Sequence, residues 1–333
     1  MTSPESRRSS RMEAREAPQT HNGAQVAFRH IDVSIVMPCL DEEDTVGTCV
    51  LDAWNALSRL GLSGEVIVVD NGSLDRSAAK ARLAGAKVVH EGDRGYGRAF
   101  KAGLREADGA VVVLADSDGS HDFGDLGPLL KALEPGTDFV IGRRLHSPID
   151  QGAIPWLHRR VGVPLLTKLL NSLYGTAVSD AHCGLRAITA GALASLTLTT
   201  SGMEFASEMI VEASRNGLNL GEVPVRAVPR AGGQPKLRTW RDGFRHLFLL
   251  LRRAPLASGS AVQARLAALS GFFLSLSISA SGKIASPTEF VAVGVALSSF
   301  AFLVIKFVSL MSRQREGDEV TRPAAAAVEE IGS

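Results

Sequence analysis

The sequence predicts an α/β domain built on a doubly wound, mostly parallel sheet. Short apolar runs of strand length alternate with helically spaced apolar segments from residue 33 to residue 141. The runs are rich in Val and Ile without polar alternation, the pattern of strands covered on both faces. Three of them break directly into loops bearing carboxylates: Asp41 and Glu42, Asp70 and Asp75, and Asp116 and Asp118. Parallel strands share a direction, so these loops converge on the sheet edge where open α/β sheets bind ligands.

The elements follow in order. Residues 33–37 (VSIVM) form the first strand, ending in the loop PCLDEE. Helical spacing over 45–60 leads to a second strand at 65–69, which ends in DNGSLD. An Ala-rich helix over 77–84 precedes a short strand at 86–90. The loop RGYG opens a helix over 96–107. It lacks the third glycine of a dinucleotide fingerprint, and no GxxxxGK[ST] loop is present, so neither NAD binding nor a P-loop ATPase is supported. The strand at 111–114 feeds Asp116-Ser117-Asp118, a helix over 126–133 follows, and 138–141 is a further strand.

Composition narrows the function. The 333 residues carry 36 Lys and Arg against 35 Asp and Glu, and aromatics are 5%. That balance gives no global charge asymmetry to suggest nucleic acid, and the few aromatics argue against a stacking platform. Cys39, Cys49 and Cys183 have no CxxC spacing, which points to a reducing compartment and away from zinc. Residues 1–30 are polar, with Arg7, Arg8, Arg11 and Arg15 and no apolar signal segment, and read as a disordered tail.

Two carboxylates one residue apart at a strand end are costly unless a cation lies between them. Hard cations that grip a diphosphate use one or two carboxylates, so Asp116 and Asp118 fit a Mg²⁺ or Mn²⁺ site. The same residues also fit a plain Asp/Ser/Gly turn after a strand.

The stretches VSIVMPCLDEE, EVIVVDNGSLD, RGYGRAFKAG, LADSDGSHD, FVIGRR, GAIPWLHRRVG, SDAHCGLRA, GMEFASEM and PRAGGQPKLRTWRDGFRHL occur in that order. Together they resemble family-2 glycosyltransferases, which have the nucleotide-diphospho-sugar transferase (GT-A) fold. The resemblance covers residues 31–255 and lies nearest the dolichyl-phosphate mannosyl- and glucosyltransferases and bacterial polyprenyl-phosphate glycosyltransferases. It implies that Pro38, Glu42 and Asp70, with Ser73, Asp75 and Gly95, line the nucleotide pocket. It implies that Asp116 and Asp118, with Ser120, sit at the diphosphate and its metal, and that Lys236 and Arg238 close over the phosphates. By the same resemblance Arg144 and Arg159 hold the acceptor phosphate and Glu204 lies near the sugar, though Glu204 also fits a solvated helix start; Asp180 fits either a sugar-side role or the shaping of a turn. His182 reads as structural. Four positions depart from the pattern: Asp41 stands where Asn is common, Ser120 where some members have Gln, Phe123 where Pro is frequent, and Val163 where a polar residue is usual.

The chemistry this implies is inverting transfer of a hexose from a UDP- or GDP-sugar to a polyprenyl phosphate. A phosphate monoester is largely dianionic at neutral pH, so it needs arginines to position it rather than a strong base. A soluble or protein acceptor, or a catalytically degenerate membrane scaffold, are the alternatives.

The C-terminal part predicts a membrane attachment. Residues 238–253 (RTWRDGFRHLFLLLRR) place Trp240, Phe244, Leu247, Phe248 and Leu251 on one helical face flanked by arginines. That suits a basic amphipathic helix in the headgroup plane, or a helix packed on the catalytic domain. Segments 266–282 and 290–311 are apolar, the second with Lys306 near its end, and read as a transmembrane hairpin. Arg252, Arg253 and Arg265 before it and Arg313 and Arg315 after it put both ends in the cytoplasm. The expected organisation is a tail (1–30), a catalytic domain (31–237), an interfacial helix (238–255), a hairpin (256–312) and a second tail (313–333). A homo-oligomer through the hairpin is a further expectation.

Overall fold

A computed structural model describes residues 31–133, 136–145, 150, 153–154, 158–233, 236 and 238–254. The expected tails and the hairpin over 256–312 lie outside these residues, as does the side chain of Trp240. Among the described residues no helix is long and apolar enough to cross a membrane.

Strand β1 (Val33–Cys39) is the centre of the first half, its residues buried on both faces except at Pro38. Helix α1 (Val46–Leu60) buries Val46, Cys49, Val50, Ala53, Ala56 and Leu57, the helical spacing read from the sequence, and stops at Gly61 in the left-handed region. Strand β2 (Gly64–Asp70) pairs parallel to β1 from Val33↔Gly64 to Cys39↔Asp70. Helix α2 (Ser77–Leu83), strand β3 (Lys87–His90) and helix α3 (Tyr96–Leu104) complete this side. Gly103 lets α3 sit close on the sheet, because a Cβ there would run into the Val36 and Val69 side chains.

Strand β4 (Val111–Leu114) lies parallel on the other side of β1. A 3₁₀ turn (Phe123–Asp125), capped by the Asp122 carboxylate, leads into α4 (Leu126–Lys131), and β5 (Phe139–Arg143) follows. A π-helical turn (His158–Gly162) opens α5 (Val163–Tyr174). Strand β6 (Arg186–Thr189), α6 (Ala190–Ser195), α7 (Phe205–Arg215), β7 (Leu220–Pro224) and α8 (Thr239–Arg252) end the described chain.

The seven strands run in the order β3-β2-β1-β4-β6-β5-β7. The sheet is mostly parallel, as read from the sequence, and β1, β2 and β4 share one direction; β6 is the exception, running antiparallel to both β4 and β5. Two reversals restore the direction, so β5 points the same way as β4 and brings Arg143 and Arg144 to the edge that carries the acidic loops. β6 and β7 carry little strand signal, since β6 opens with Arg186 and β7 reads LGEVP.

Helix α8 packs on α5 and α7. Its buried side is Asp242, His246, Leu249 and Leu250, while Phe244 and Phe248 are 52% and 58% exposed. One face of the helix thus docks on the domain, while Phe244 and Phe248 on the other side stay uncovered.

Candidate active site

The carboxyl ends of β1, β2 and β4 lie side by side, and hydrogen bonds stitch their loops together. Ser117 Oγ donates to the Pro38 carbonyl and Thr45 Oγ1 donates to the Ser117 carbonyl, both at 2.7 Å. Asp41 adopts φ +50°, a left-handed conformation that Asn and Asp tolerate best among residues with a side chain. Its N–H donates to Ser73 Oγ at 3.0 Å and its Oδ1 accepts from the Leu74 N–H at 2.8 Å. The acid standing where Asn is common is thus bonded to backbone and shapes the loop.

Glu42 and Asp118 are both buried, and one residue outside the predicted set joins them. Arg230 reaches Glu42 Oε1 at 2.8 Å and Asp118 Oδ2 at 2.7 Å with its two terminal nitrogens. Lys236 Nζ adds a third contact, 2.9 Å from Glu42 Oε1. The second Asp118 oxygen accepts the Ser120 N–H at 2.9 Å, so Ser120 acts here through its backbone. Glu42 Oε2 is buried with no hydrogen-bond partner among the described residues. Burial pushes the Glu42 carboxyl above its ordinary range, against the pull of Lys236 and Arg230.

Asp116 takes different partners. Tyr96 Oη donates to its Oδ1 at 3.0 Å, and His121 Nε2 lies 3.1 Å from its Oδ2. Burial favours the neutral acid, but His121, the Tyr96 hydroxyl and the Arg144 charge outweigh it, and the carboxyl titrates below its usual range. Gly184 leaves the room for this: a Cβ there would strike the Asp116 carboxylate and come within 2.8 Å of His121 Nε2. Tyr96 stands edge-on to Phe100, which stacks on Phe205 of α7, so the hydroxyl is aimed from a packed core.

At the end of β5, Arg144 forms a two-pronged pair with the fully buried Asp180, Nε to Oδ2 at 2.8 Å and Nη2 to Oδ1 at 3.0 Å. Burial alone would lower the Arg144 pKa, and the Asp180 charge reverses that. Arg159 is exposed on the π-helical turn. Arg238 is exposed at the start of α8, where its N–H donates to Asp242 Oδ2 at 2.7 Å.

The remaining predicted residues are held by bonds to neighbouring loops and elements. Asp70 holds the Ser73 N–H and the His90 ring, each at 3.0 Å. Asp75 accepts the Glu43 and Ser77 backbone N–H groups, at 3.1 and 2.9 Å, so its carboxylate shapes the loop. Gly95 donates to Asn71 Oδ1 at 2.6 Å and sits against the Ser201 carbonyl, where no side chain would fit. Glu204 accepts the Gly202 N–H at 3.2 Å ahead of α7 and lies 3.8 Å from Arg245 of α8. Sequence reading missed Arg230, Tyr96 and His121. All three lie inside stretches quoted for the resemblance, but nothing in their spacing marks them as partners of the acids.

The donor set fits a divalent ion bound with a diphosphate. Asp116 and Asp118 offer hard carboxylate oxygens, and such sites need only one or two of them. Among the described residues there is no group of three or more His, Cys, Asp or Glu side chains that could cage a metal without phosphate ligands.

Comparison with known proteins agrees with this architecture. The sequence model described as Glycosyl transferase family 2 matches residues 34–197. The low-salt glycan biosynthesis hexosyltransferase of Haloferax volcanii is 39% identical over 224 residues, 67% of this chain and 54% of that protein. This chain thus spans about half the length of that relative. A dolichyl-phosphate hexose transferase from the same organism is 30% identical over 64% of this chain and 89% of its own length. An uncharacterized glycosyltransferase of Mycobacterium tuberculosis is 34% identical over 62% of this chain and 89% of its own. Among solved structures, glucosyl-3-phosphoglycerate synthase from Mycobacterium tuberculosis, in complex with Mn²⁺, UDP and glucosyl-3-phosphoglycerate, has a TM-score of 0.55. It is 24% identical and the match covers 69% of this chain and 82% of that one, a likeness of fold. The chain belongs to glycosyl transferase family 2, within its dolichyl-phosphate glycosyltransferase-like branch.

Proposed function

We propose that the chain transfers a hexose from a UDP- or GDP-sugar to a polyprenyl phosphate at the cytoplasmic face of a membrane, with inversion at the anomeric carbon. The observation that carries this reading is the opposition of charges on one sheet edge. Glu42 and Asp118, from the β1 and β4 loops, face Arg230 and Lys236 from the segment after β7. Arg144 stands at the end of β5, fixed by Asp180.

The donor's base and ribose lie along Pro38, Glu42 and Asp70. Asp116 and Asp118 would hold a divalent ion, Mg²⁺ or Mn²⁺, which when bound would supply Lewis-acid stabilisation to the departing diphosphate. The partners of Asp116 keep it ionised for that role. Lys236 and Arg238 add fixed positive charge where negative charge builds on the leaving group. Arg144 and Arg159 hold the acceptor phosphate in line with the sugar, and Asp180 keeps the Arg144 fork from rotating. Glu204, before α7, lies on the sugar side.

The lipid acceptor is supported by α8, which presents Phe244 and Phe248 with Arg241, Arg245 and Arg252 exposed around them. It is supported also by the relative named a dolichyl-phosphate hexose transferase. The test is to incubate full-length protein in detergent with polyprenyl phosphate and radiolabelled UDP- and GDP-hexoses. Label in a solvent-extractable lipid that mild acid releases is the expected product. Label only in water-soluble or protein-bound product would replace the lipid acceptor with one of those classes.

A further inference from the structure

We infer that Arg230 is a cationic placeholder: without donor, its guanidinium holds the Asp118 oxygen that the divalent ion needs, and it releases that oxygen only when the ion and a nucleotide diphosphate arrive together. The inference rests on the donor site proposed above.

Asp118 has two oxygens, and Oδ1 already accepts the Ser120 N–H. Oδ2 is the oxygen with no backbone donor, and Arg230 Nη1 lies 2.7 Å from it. A metal and the guanidinium therefore compete for one atom. The competition is strong because the carboxylates are buried, Asp118 at 7% and Glu42 at 5% exposure. Arg230 bridges both and Lys236 adds a second charge at Glu42, and removing a cation from buried carboxylates is strongly unfavourable unless another replaces it.

The geometry also shows how Arg230 can let go without the loop leaving. The Ala231 N–H donates to the Asp118 carbonyl at 3.1 Å, and the Val228 N–H to the Ser120 carbonyl at 3.4 Å. These backbone bonds do not involve the guanidinium. Gly233, at φ +70°, seats the loop directly on the Glu42 carboxylate, where a side chain would not fit. Arg230 also keeps Glu42 through its other nitrogen, so it pivots about that contact. A free divalent ion would displace Nη1 and leave it without an anion. A diphosphate would supply that anion by accepting from the released N–H groups. Cation and nucleotide then bind with positive coupling, which by linkage runs equally in both directions.

The test measures Mn²⁺ binding to full-length protein, without sugar, by loss of the free-ion electron paramagnetic resonance signal, with and without UDP or GDP. Arg230→Gln and Arg230→Met remove the charge, Arg230→Lys keeps it, and thermal melts check that each variant folds. The expected result is that Gln and Met raise the affinity for Mn²⁺ alone by about 10-fold and cut the nucleotide's enhancement by a similar factor, while Lys stays near wild type. Unchanged affinity for Mn²⁺ alone in both neutral variants, with binding still abolished by Asp118→Asn, overturns the placeholder and leaves the donor site standing. Binding that is indifferent to Asp118→Asn in every background overturns the metal site itself, and the placeholder with it.

Discussion

Arg144 and Asp180 meet through two parallel N–H···O bonds, 2.8 and 3.0 Å long, with the acid wholly inside the protein and the base at the rim. Further bonds hold the acid from behind. The Arg144 and His182 N–H groups donate to it at 3.2 Å, and Glu222 of β7 accepts the Ser179 and Asp180 N–H groups. The direction of a surface cation is thus set by the sheet interior, through three strands that meet at β5. Asp180 thereby fixes the guanidinium of Arg144, the arginine proposed to hold the acceptor phosphate.

Asp180→Asn leaves Arg144 without its counter-charge. The account predicts a loss of about 3 kcal/mol in urea unfolding, the scale for breaking a buried pair from one side. It also predicts a rise of about 10-fold or more in the acceptor KM, with the donor KM little changed. Equal rises in both constants would place Asp180 outside acceptor orientation.

Tyr96→Phe removes one hydrogen bond that favours ionised Asp116. The Asp116 carboxyl, held below its ordinary range in the folded protein, contributes stability that is present above its unfolded pKa and lost as pH falls through the folded one. The variant loses about 1 kcal/mol of that at neutral pH. The acidic limb of its kcat/KM profile for the donor moves to higher pH. A profile that does not move would mean that Asp116 ionisation is not needed for turnover.

The His182 and His246 rings meet edge to face at 4.6 Å between α8 and the loop before β6. Ser207 of α7 lies 2.8 Å from His246 Nδ1. Burial pulls the His246 pKa down to about 4, against the attraction of Asp242 and with some help from the Arg186 charge. The folded state refuses a proton that the unfolded chain accepts near 6.5. Stability contributed by neutral His246 is therefore present above about pH 6.5 and is lost progressively as pH falls toward 4, by about 3 kcal/mol over that window. Urea midpoints measured across the window should fall for wild type and fall less for His246→Asn. Parallel curves would remove His246 as the cause.

Phe244→Ser with Phe248→Ser changes two exposed side chains on the outer face of α8. Folding stability should shift by no more than about 0.5 kcal/mol for each, as at other exposed sites. Partition of the catalytic domain plus α8 onto vesicles of anionic lipid should fall by about 10-fold or more, because two aromatic rings no longer bury in the interface. Co-sedimentation with vesicles reads this out, with a chain ending after residue 254 so that the apolar segments beyond it do not mask the effect. Undiminished sedimentation by a double variant that folds would show that α8 is not a lipid-binding face.

The first half of the fold was legible because β1, β2 and β4 are apolar on both faces and end abruptly in acids. Strand β6 was not legible. It carries the buried Arg186, whose guanidinium donates to the carbonyls of Ala181, Cys183 and Ala206, and no sequence period announces an arginine satisfied by backbone. The acidic members of the site could be read for the same reason as the strands. Their partners could not: Arg230 lies 112 positions from Asp118 and Tyr96 lies 20 from Asp116, and those pairings exist only once the sheet is assembled.

The most direct test is calorimetric titration of UDP- and GDP-sugars into the full-length protein with Mn²⁺ and with chelator, for wild type and Asp118→Asn. The account predicts saturable binding of at least one donor to wild type, lost or weakened about 10-fold or more by chelator and by the substitution. Donor affinity that ignores both the cation and Asp118, or no affinity for any sugar nucleotide, would contradict it.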